Sequence, residues 1–307
     1  MRSEAKSSFA DLVPFLLLAT AALCWSGNHV IGRWVAMETP PVPPGGLSVL
    51  RWLLAILIVL PFSWRKAVEE WPQIRQRWGW MLLLGLLGSA WFSYLQYLAL
   101  HHTTAINLSV LNSLGPALII LAGVLMFRDR VDIGQLAGIL VSLIGVLIIV
   151  SRGTIERLIA LEFNSGDLFG LATVVIWAVF SACLRMKPDV SPMTLMLAAS
   201  VIGFVGNLPM MAIEIAAGDT LHATWPTAFA VLYVGIFSSV VAYIAWTAGV
   251  AALGSHRAGI FLHLTPLFSS ILSLAFLGEQ PMLYHAAGLV LIVAGVTIAA
   301  RLPNSRR

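Results

Sequence analysis

The sequence predicts an all-α integral membrane protein of ten transmembrane helices, folded as two inverted-topology repeats of five. Three observations carry that expectation. Of 307 residues only 18 are Lys or Arg and 14 are Asp or Glu, while 59 % are apolar and the mean hydropathy is +0.90. Ten apolar runs follow one another, each near the roughly 20 residues that cross a bilayer. The chain also matches itself at an offset near 150 residues.

Soluble domains are roughly 25 % charged, against 10 % here. A water-soluble fold of this length would expose an apolar patch larger than soluble monomers tolerate. Disordered and fibrous classes are excluded by the same composition. A net charge of +4 fits a nucleic-acid partner only where the cations cluster on one soluble face. Here they sit between apolar runs, so the expected partner is the lipid bilayer and not nucleic acid. Cys24 and Cys183 both lie inside apolar runs without CxxC spacing, so no disulfide framework, metal or cofactor is implied.

In order, the runs are 12–36, 46–64, 79–100, 104–127, 132–151, 167–186, 192–216, 226–250, 256–277 and 282–301. They are continuous, whereas barrel strands would alternate over about ten residues. The longest connectors are 65–78 and 152–166, which leaves no soluble domain. The first run exceeds the 7–15 apolar residues of a signal peptide and lacks a small-x-small cleavage site. Ala21-Ala22-Leu23-Cys24 resembles a lipoprotein site only faintly, since Leu23 is too large, so this run is read as the first span.

Cations between spans set the orientation. With the N-terminus inside, the cytoplasmic set is Arg2, Lys6, Arg65, Lys66, Arg75, Arg77, Arg128, Arg130, Arg185, Lys187, Arg257, Arg301, Arg306 and Arg307. The outer connectors hold Arg152 and Arg157, while Arg33 and Arg51 fall within spans near the outer side. Both termini are therefore expected in the cytoplasm.

The self-match is specific in its residues. At an offset of 150, Pro116 meets Pro266, Asp129 meets Glu279, Gly138 meets Gly288 and Gly145 meets Gly295. At 152, Trp25 meets Trp177 and Arg33 meets Arg185; at 148, Pro61 meets Pro209. The expected repeats are 12–151 and 167–301. Five spans is an odd number, so the second copy enters the membrane from the opposite side. Inverted repeats of this kind are typical of secondary transporters, which rock about a midplane site.

The segments Ala19-Thr20-Ala21-Ala22-Leu23-Cys24-Trp25-Ser26-Gly27-Asn28, Leu114-Gly115-Pro116…Phe127-Arg128-Asp129…Gly138…Gly145 and Leu264-Thr265-Pro266…Leu277-Gly278-Glu279…Gly288…Gly295 resemble the drug/metabolite transporter superfamily, of the type with two EamA domains. Phe127-Arg128-Asp129 departs from the family's Leu-Gly-Glu, keeping the charge but losing the glycine. The resemblance implies export of amino acids and other small metabolites from a bacterial-type inner (plasma) membrane. The aromatic content is similar to the branch that exports aromatic and hydrophobic amino acids. Monomer or weak homodimer is the expected assembly, with a small-molecule substrate and no cofactor.

Polar and aromatic side chains at helical spacing inside spans mark a candidate cavity, because lipid leaves an unsatisfied polar group expensive. Span one carries Trp25, Asn28, His29 and Arg33, the last expected to snorkel outward. Span three carries Trp91, Tyr94 and Tyr97, with Gln96 off that face and His101 and His102 expected in solvent. Span four offers Asn112 and Ser113 beside Pro116, which frees a carbonyl near Asn112; span nine repeats this with His263 and Pro266. Trp177 of span six, and Tyr243 and Trp246 of span eight, complete the substrate-binding candidates. Trp25 and Trp177 are expected to face each other across the pseudo-axis, and Pro116 and Pro266 to act as hinges. The alternative for each is helix packing. No Asp or Glu lies mid-span, so no carboxylate proton relay or sodium cage is legible, and no Walker loop is present. Competing functions are an uptake permease for another metabolite or drug-like cation, a channel-like bundle, and an intramembrane enzyme. The last lacks paired carboxylates or a metal cluster, so the chain is read as no enzyme.

Overall fold

In a computed structural model the described residues are 2–129, 131, 133–156, 164–254 and 261–301, and among them all regular structure is helical. Arg130, Arg157, Arg257, Arg306, Arg307 and the expected start of the ninth span at 256–260 lie outside the described residues. The helices are α1 (Arg2–Ala36), α2 (Pro44–Glu69), α3 (Trp71–Gln76), α4 (Trp78–His102), α5 (Ala105–Asn112), α6 (Gly115–Phe127), α7 (Ile133–Val150), α8 (Ser165–Met186), α9 (Pro192–Ala217), α10 (Trp225–Leu253), α11 (Phe261–Leu277) and α12 (Leu283–Arg301).

Seven of them (α1 from Leu12, α2, α4, α7, α8, α9 and α10) are long and apolar enough to cross a membrane. The pair α5 and α6 makes an eighth if its 46° bend lies within one span, while α11 and α12 are apolar but shorter. Large apolar side chains face outward all round the bundle, among them Phe62, Leu125, Ile133, Phe276 and Leu283. Such a surface suits acyl chains and not water. The protein is a multi-pass membrane protein.

Two expected elements differ. The connector 65–78 is mostly helical, because α2 runs on through Arg65 and Lys66 to Glu69 and α3 follows directly. Counting only apolar residues ends a span where charged residues begin, although the helix continues through them. The expected single span 104–127 is broken between Asn112 and Gly115. Pro116 lacks the amide that would bind the Asn112 carbonyl, so the last turn tightens, with the Ser113 and Leu114 amides donating three residues back.

Helix ends are defined by local chemistry. Prolines 44 and 192 occupy first helical positions, where no amide is required. Thr104, Asn164, Ser191 and Thr224 cap α5, α8, α9 and α10 with side-chain oxygens. Gly218 and Gly278 close α9 and α11 at φ of 98° and 68°, which a side chain would resist.

Contacts between the sequence repeats are reciprocal. α7 packs on α12 through glycines: a Cβ on Gly145 would come within 2.7 Å of the Gly288 carbonyl oxygen, and one on Gly288 within 2.9 Å of the Gly145 carbonyl oxygen. Gly295 sits against Gly138 in the same way, and Ser142 Oγ donates to the carbonyl of its own repeat partner, Ile292, at 3.3 Å. α2 and α9 cap one another. Glu214, near the end of α9, accepts from the Gly45 and Gly46 amides at 2.8 and 3.2 Å, and Glu70, at the end of α2, accepts from the Ser191 amide and hydroxyl at 3.1 Å. α1 packs against α10 and α11, as α8 packs against α4 and α6. Pairs of the form i–j′ and j–i′ are what a two-fold relation produces.

Burial pushes the Glu70 carboxyl up, but hydrogen bonds from Thr194 and Ser191 and the Lys66 charge outweigh it and hold the group below its ordinary range. A depressed folded-state pKa contributes stability above the unfolded value, lost as pH falls through the folded one. Stability of the parent is therefore expected to fall relative to Glu70→Gln as pH drops below the usual carboxylate range. Melting curves of both proteins at stepped acidic pH check this, and parallel curves would refute it.

Candidate functional site

Two hydrogen-bonded chains cross the interior of the bundle. In the first, His29 of α1 lies between Asn112 at the end of α5, whose Nδ2 meets its Nε2 at 3.1 Å, and Ser269 of α11, whose Oγ meets its Nδ1 at 3.4 Å. With the Asn112 amide donating, the imidazole is neutral with its proton on Nδ1. In the second, Tyr97 of α4 donates to Asn28 Oδ1 at 2.8 Å and accepts from Arg51 of α2 at 3.0 Å. The Arg51 guanidinium also donates to Ser239 at 2.8 Å and Ser238 at 3.3 Å, both on α10. Asn28 and His29 are neighbours in sequence, so the two chains meet on α1. All of Asn28, His29, Arg51 and Tyr97 are buried.

Local structure brings these groups together. Residues Tyr233–Val241 of α10 are wound as a π-helix, as are Leu86–Trp91 of α4. The wider turn lets Ser239 Oγ reach the Val234 carbonyl five residues back at 2.9 Å and presents two consecutive serines to Arg51. π-segments inside α-helices recur at functional sites.

The predicted residues divide. Asn28, His29, Tyr97 and Asn112 share the site. Ser113 is buried one position beyond, its hydroxyl toward the Ser109 carbonyl at 3.5 Å. His263 ends the short 3-10 turn that opens α11, and its Nδ1 is buried without a hydrogen-bond partner among the described residues. Pro116 and Pro266 each follow a break in helical winding. Trp25 and Trp177 do not stack on each other. Trp25 lies on Trp246 at 5.4 Å between ring centroids, and Trp177 lies between Phe92 and Phe180, both at 5.1 Å. Each tryptophan meets at least one ring of the other repeat, Trp246 for Trp25 and Phe92 for Trp177. Tyr243 Oη is spent on the Pro192 carbonyl at 2.9 Å, at the start of α9. Tyr94 lies within electrostatic reach of Glu214.

Other expectations are corrected. His101 is not free in solvent but partly buried, with Nε2 3.1 Å from the Val42 carbonyl. Gln96, placed off that face by the sequence, is itself buried. Arg33 does not snorkel: it donates to the Leu100 carbonyl at 2.8 Å and lies 3.8 Å from Glu279, whose two oxygens accept from the first amides of α5 at 3.1 and 3.2 Å. Its repeat partner Arg185 pairs with Asp129 through two bonds of 2.8 and 3.1 Å. The two pairs occupy opposite ends of the bundle. Asp167, at the start of α8, accepts from Thr103 and Asn107 near Arg33's end, and Arg185 lies 18 residues further along α8, about 27 Å away at 1.5 Å per residue.

Sequence reasoning missed Arg51, which was counted only as a cation near a span end. The signal was available: a charge five residues inside the apolar run 46–64.

A model of the EamA-like transporter family matches residues 12–151 and 164–301. An uncharacterized transporter of Archaeoglobus fulgidus is 28 % identical over 287 residues, covering 92 % of this chain and 95 % of that protein. The uncharacterized transporter YyaM of Bacillus subtilis is 26 % identical over 249 residues, covering 80 % and 79 %. The uncharacterized inner membrane transporter YicL of Salmonella typhimurium is 26 % identical over 301 residues, covering 94 % of both chains. A crystal structure with a TM-score of 0.60 and 22 % identity covers 93 % of this chain and 96 % of that one, a likeness of fold.

Proposed function

Because this chain belongs to the EamA-like transporter family, we propose that it is a secondary transporter, not an enzyme, that exports small metabolites by alternating access. Amino acids with aromatic or hydrophobic side chains are its foremost substrates in this reading, and a bacterial-type inner membrane its location. One observation carries the proposal: buried polar groups from both repeats, His29 with Ser269 and Arg51 with Ser238 and Ser239, are joined inside an apolar bundle. Buried polar groups at membrane depth are rare and mark solute pathways.

Ten spans in two inverted repeats are the architecture that this reading needs. Its support is the reciprocity of α7 with α12 and α2 with α9, and the opposite directions of α1 and α8. The cation count assigns the end bearing Glu70, Arg75, Arg77 and Arg185 to the cytoplasm. The Arg33–Glu279 and Arg185–Asp129 pairs then stand at the outer and inner mouths, and alternating access requires one to part while the other holds. Pro116 and Pro266 supply the weak points in the helices between them.

The test is counterflow of the twenty labelled amino acids in proteoliposomes, where saturable exchange of aromatic or hydrophobic members is expected. Rates equal to protein-free vesicles for all twenty would refute the substrate reading. Asn112→Leu strands the His29 Nε2 lone pair in apolar surroundings, which costs on the order of 1–3 kcal/mol. Transport is expected to fall about tenfold or more while the protein still purifies as a single species; an unchanged rate would remove His29 from the pathway.

A further inference from the structure

Arg51 is a cation without an anion. It is the eighth residue of α2, about 10 Å inside the helix start at 1.5 Å per residue, and only 6 % exposed. Its hydrogen-bond partners are three neutral hydroxyls, on Tyr97, Ser238 and Ser239, and the rings of Trp52 and Tyr97 lie 5.0 and 5.9 Å from its Cζ. Among the described residues it forms no ion pair. Guanidinium does not shed its proton in proteins, so burial cannot be relieved by neutralisation, as it is for lysine. A charge fixed in an apolar interior calls for a counter-charge.

Guanidinium carries five N–H donors. Three are engaged, leaving one on each terminal nitrogen. Tyr97 donates onward to Asn28 Oδ1 at 2.8 Å, so its hydroxyl is fixed as an acceptor toward Arg51 and the guanidinium is held in orientation. Arg33, on the same half of the bundle, is engaged by Glu279 and two carbonyls. A single guanidinium without an ion pair, with one donor left on each terminal nitrogen, matches one planar, singly charged oxyanion.

We propose that Arg51 is the substrate's anion site, and that this transporter selects solutes bearing a carboxylate, such as the α-carboxylate of an amino acid. The inference rests on the transporter reading and narrows its substrate class. Tyr97, Asn28, Ser238 and Ser239 are positioning residues that hold the guanidinium. A doubly charged phosphate would need a second cation, and none accompanies Arg51 among the residues that contact it.

The experiment is thermal stabilisation of the purified full-length chain by phenylalanine, leucine and 3-phenylpropionate, each set against its carboxamide. Binding is read directly, so transport is not presupposed. The carboxylates are expected to raise the melting temperature and the amides to leave it unchanged. In Arg51→Lys, which keeps charge but loses the planar fork, the half-saturating carboxylate concentration is expected to rise about tenfold. In Arg51→Gln the distinction between acid and amide is expected to vanish. A purely structural arginine would lower the melting temperature of both variants without touching that distinction. Equal stabilisation by acid and amide in the parent, no shift by any of the acids, or retained discrimination in Arg51→Gln would overturn the assignment. If Arg51→Gln does not fold, the acid and amide comparison on the parent decides alone. Counterflow of an amine or amide by a protein failing this test would leave the transporter reading standing.

Discussion

Gly288→Leu is expected to prevent α7 and α12 from packing and to destabilise the protein more than any other single change named here. A Cβ on Gly288 would lie closest to Ile149 Cγ1 and, against backbone, 2.9 Å from the Gly145 carbonyl oxygen. Side chains can adopt new rotamers, but a carbonyl on a facing helix moves only if the helix moves. Overpacking in a well-filled interior costs about 1–3 kcal/mol, and a leucine facing a rigid backbone belongs at the top of that range. Small residues at such crossings let membrane helices approach closely, where van der Waals contact is the main attraction. Thermal unfolding in detergent, with Gly79→Leu as the control, measures the effect. Nothing lies within 4 Å of a Cβ at Gly79, so that variant is expected to melt close to the parent. Equal melting temperatures for Gly288→Leu and the parent would show that the two helices do not meet as described.

Glu279→Ala and Asp129→Ala are expected to differ sharply although they occupy equivalent repeat positions. The Glu279 side chain is 10 % exposed, receives the first two amides of α5 and faces Arg33. Removing it strands two amides and takes away the counter-charge of Arg33, which keeps its bonds to the Leu100 and His101 carbonyls. A helix cap contributes about 1 kcal/mol and a charged hydrogen bond about 1.5–3 kcal/mol, so a loss of about 2–3 kcal/mol is expected. Asp129 and Arg185 are 45 % and 44 % exposed. The bidentate Arg185 guanidinium holds the Asp129 carboxyl below its usual range, but water and salt screen that pair. Asp129→Ala is therefore expected to melt with the parent. Matched melting temperatures for the two variants would mean that solvent exposure does not set the strength of these pairs.

Much of the fold was legible because it follows from averages and periods. Asp129 and Glu279 align at the same offset as the glycines that later prove to touch, since a repeated packing problem leaves repeated small residues. The break before Pro116 follows from one missing amide. Tyr97 and Asn28 could be named from helical spacing because each lies on a polar stripe of its own helix. Arg51 was marked only by its charge inside an apolar run, since the polar groups around it come from α4 and α10 and only their packing against α2 reveals what surrounds it. Repeat equivalence paired Trp25 with Trp177, but it says only that two residues have like surroundings; the rings each one touches, Trp246 for Trp25 and Phe92 and Phe180 for Trp177, are set by packing.

What the sequence determined by itself is the solvent and the repeat. Scarce charge and long apolar runs demand lipid, and the self-match at a fixed offset demands two similar halves. Which polar side chains share an interior, and with what charge, only the tertiary structure decided. Helical periodicity places a residue on one face of its own helix but carries no record of the neighbour that covers that face. The π-helical turn of α10, which turns Ser238 and Ser239 together onto Arg51, exists only in the packed bundle.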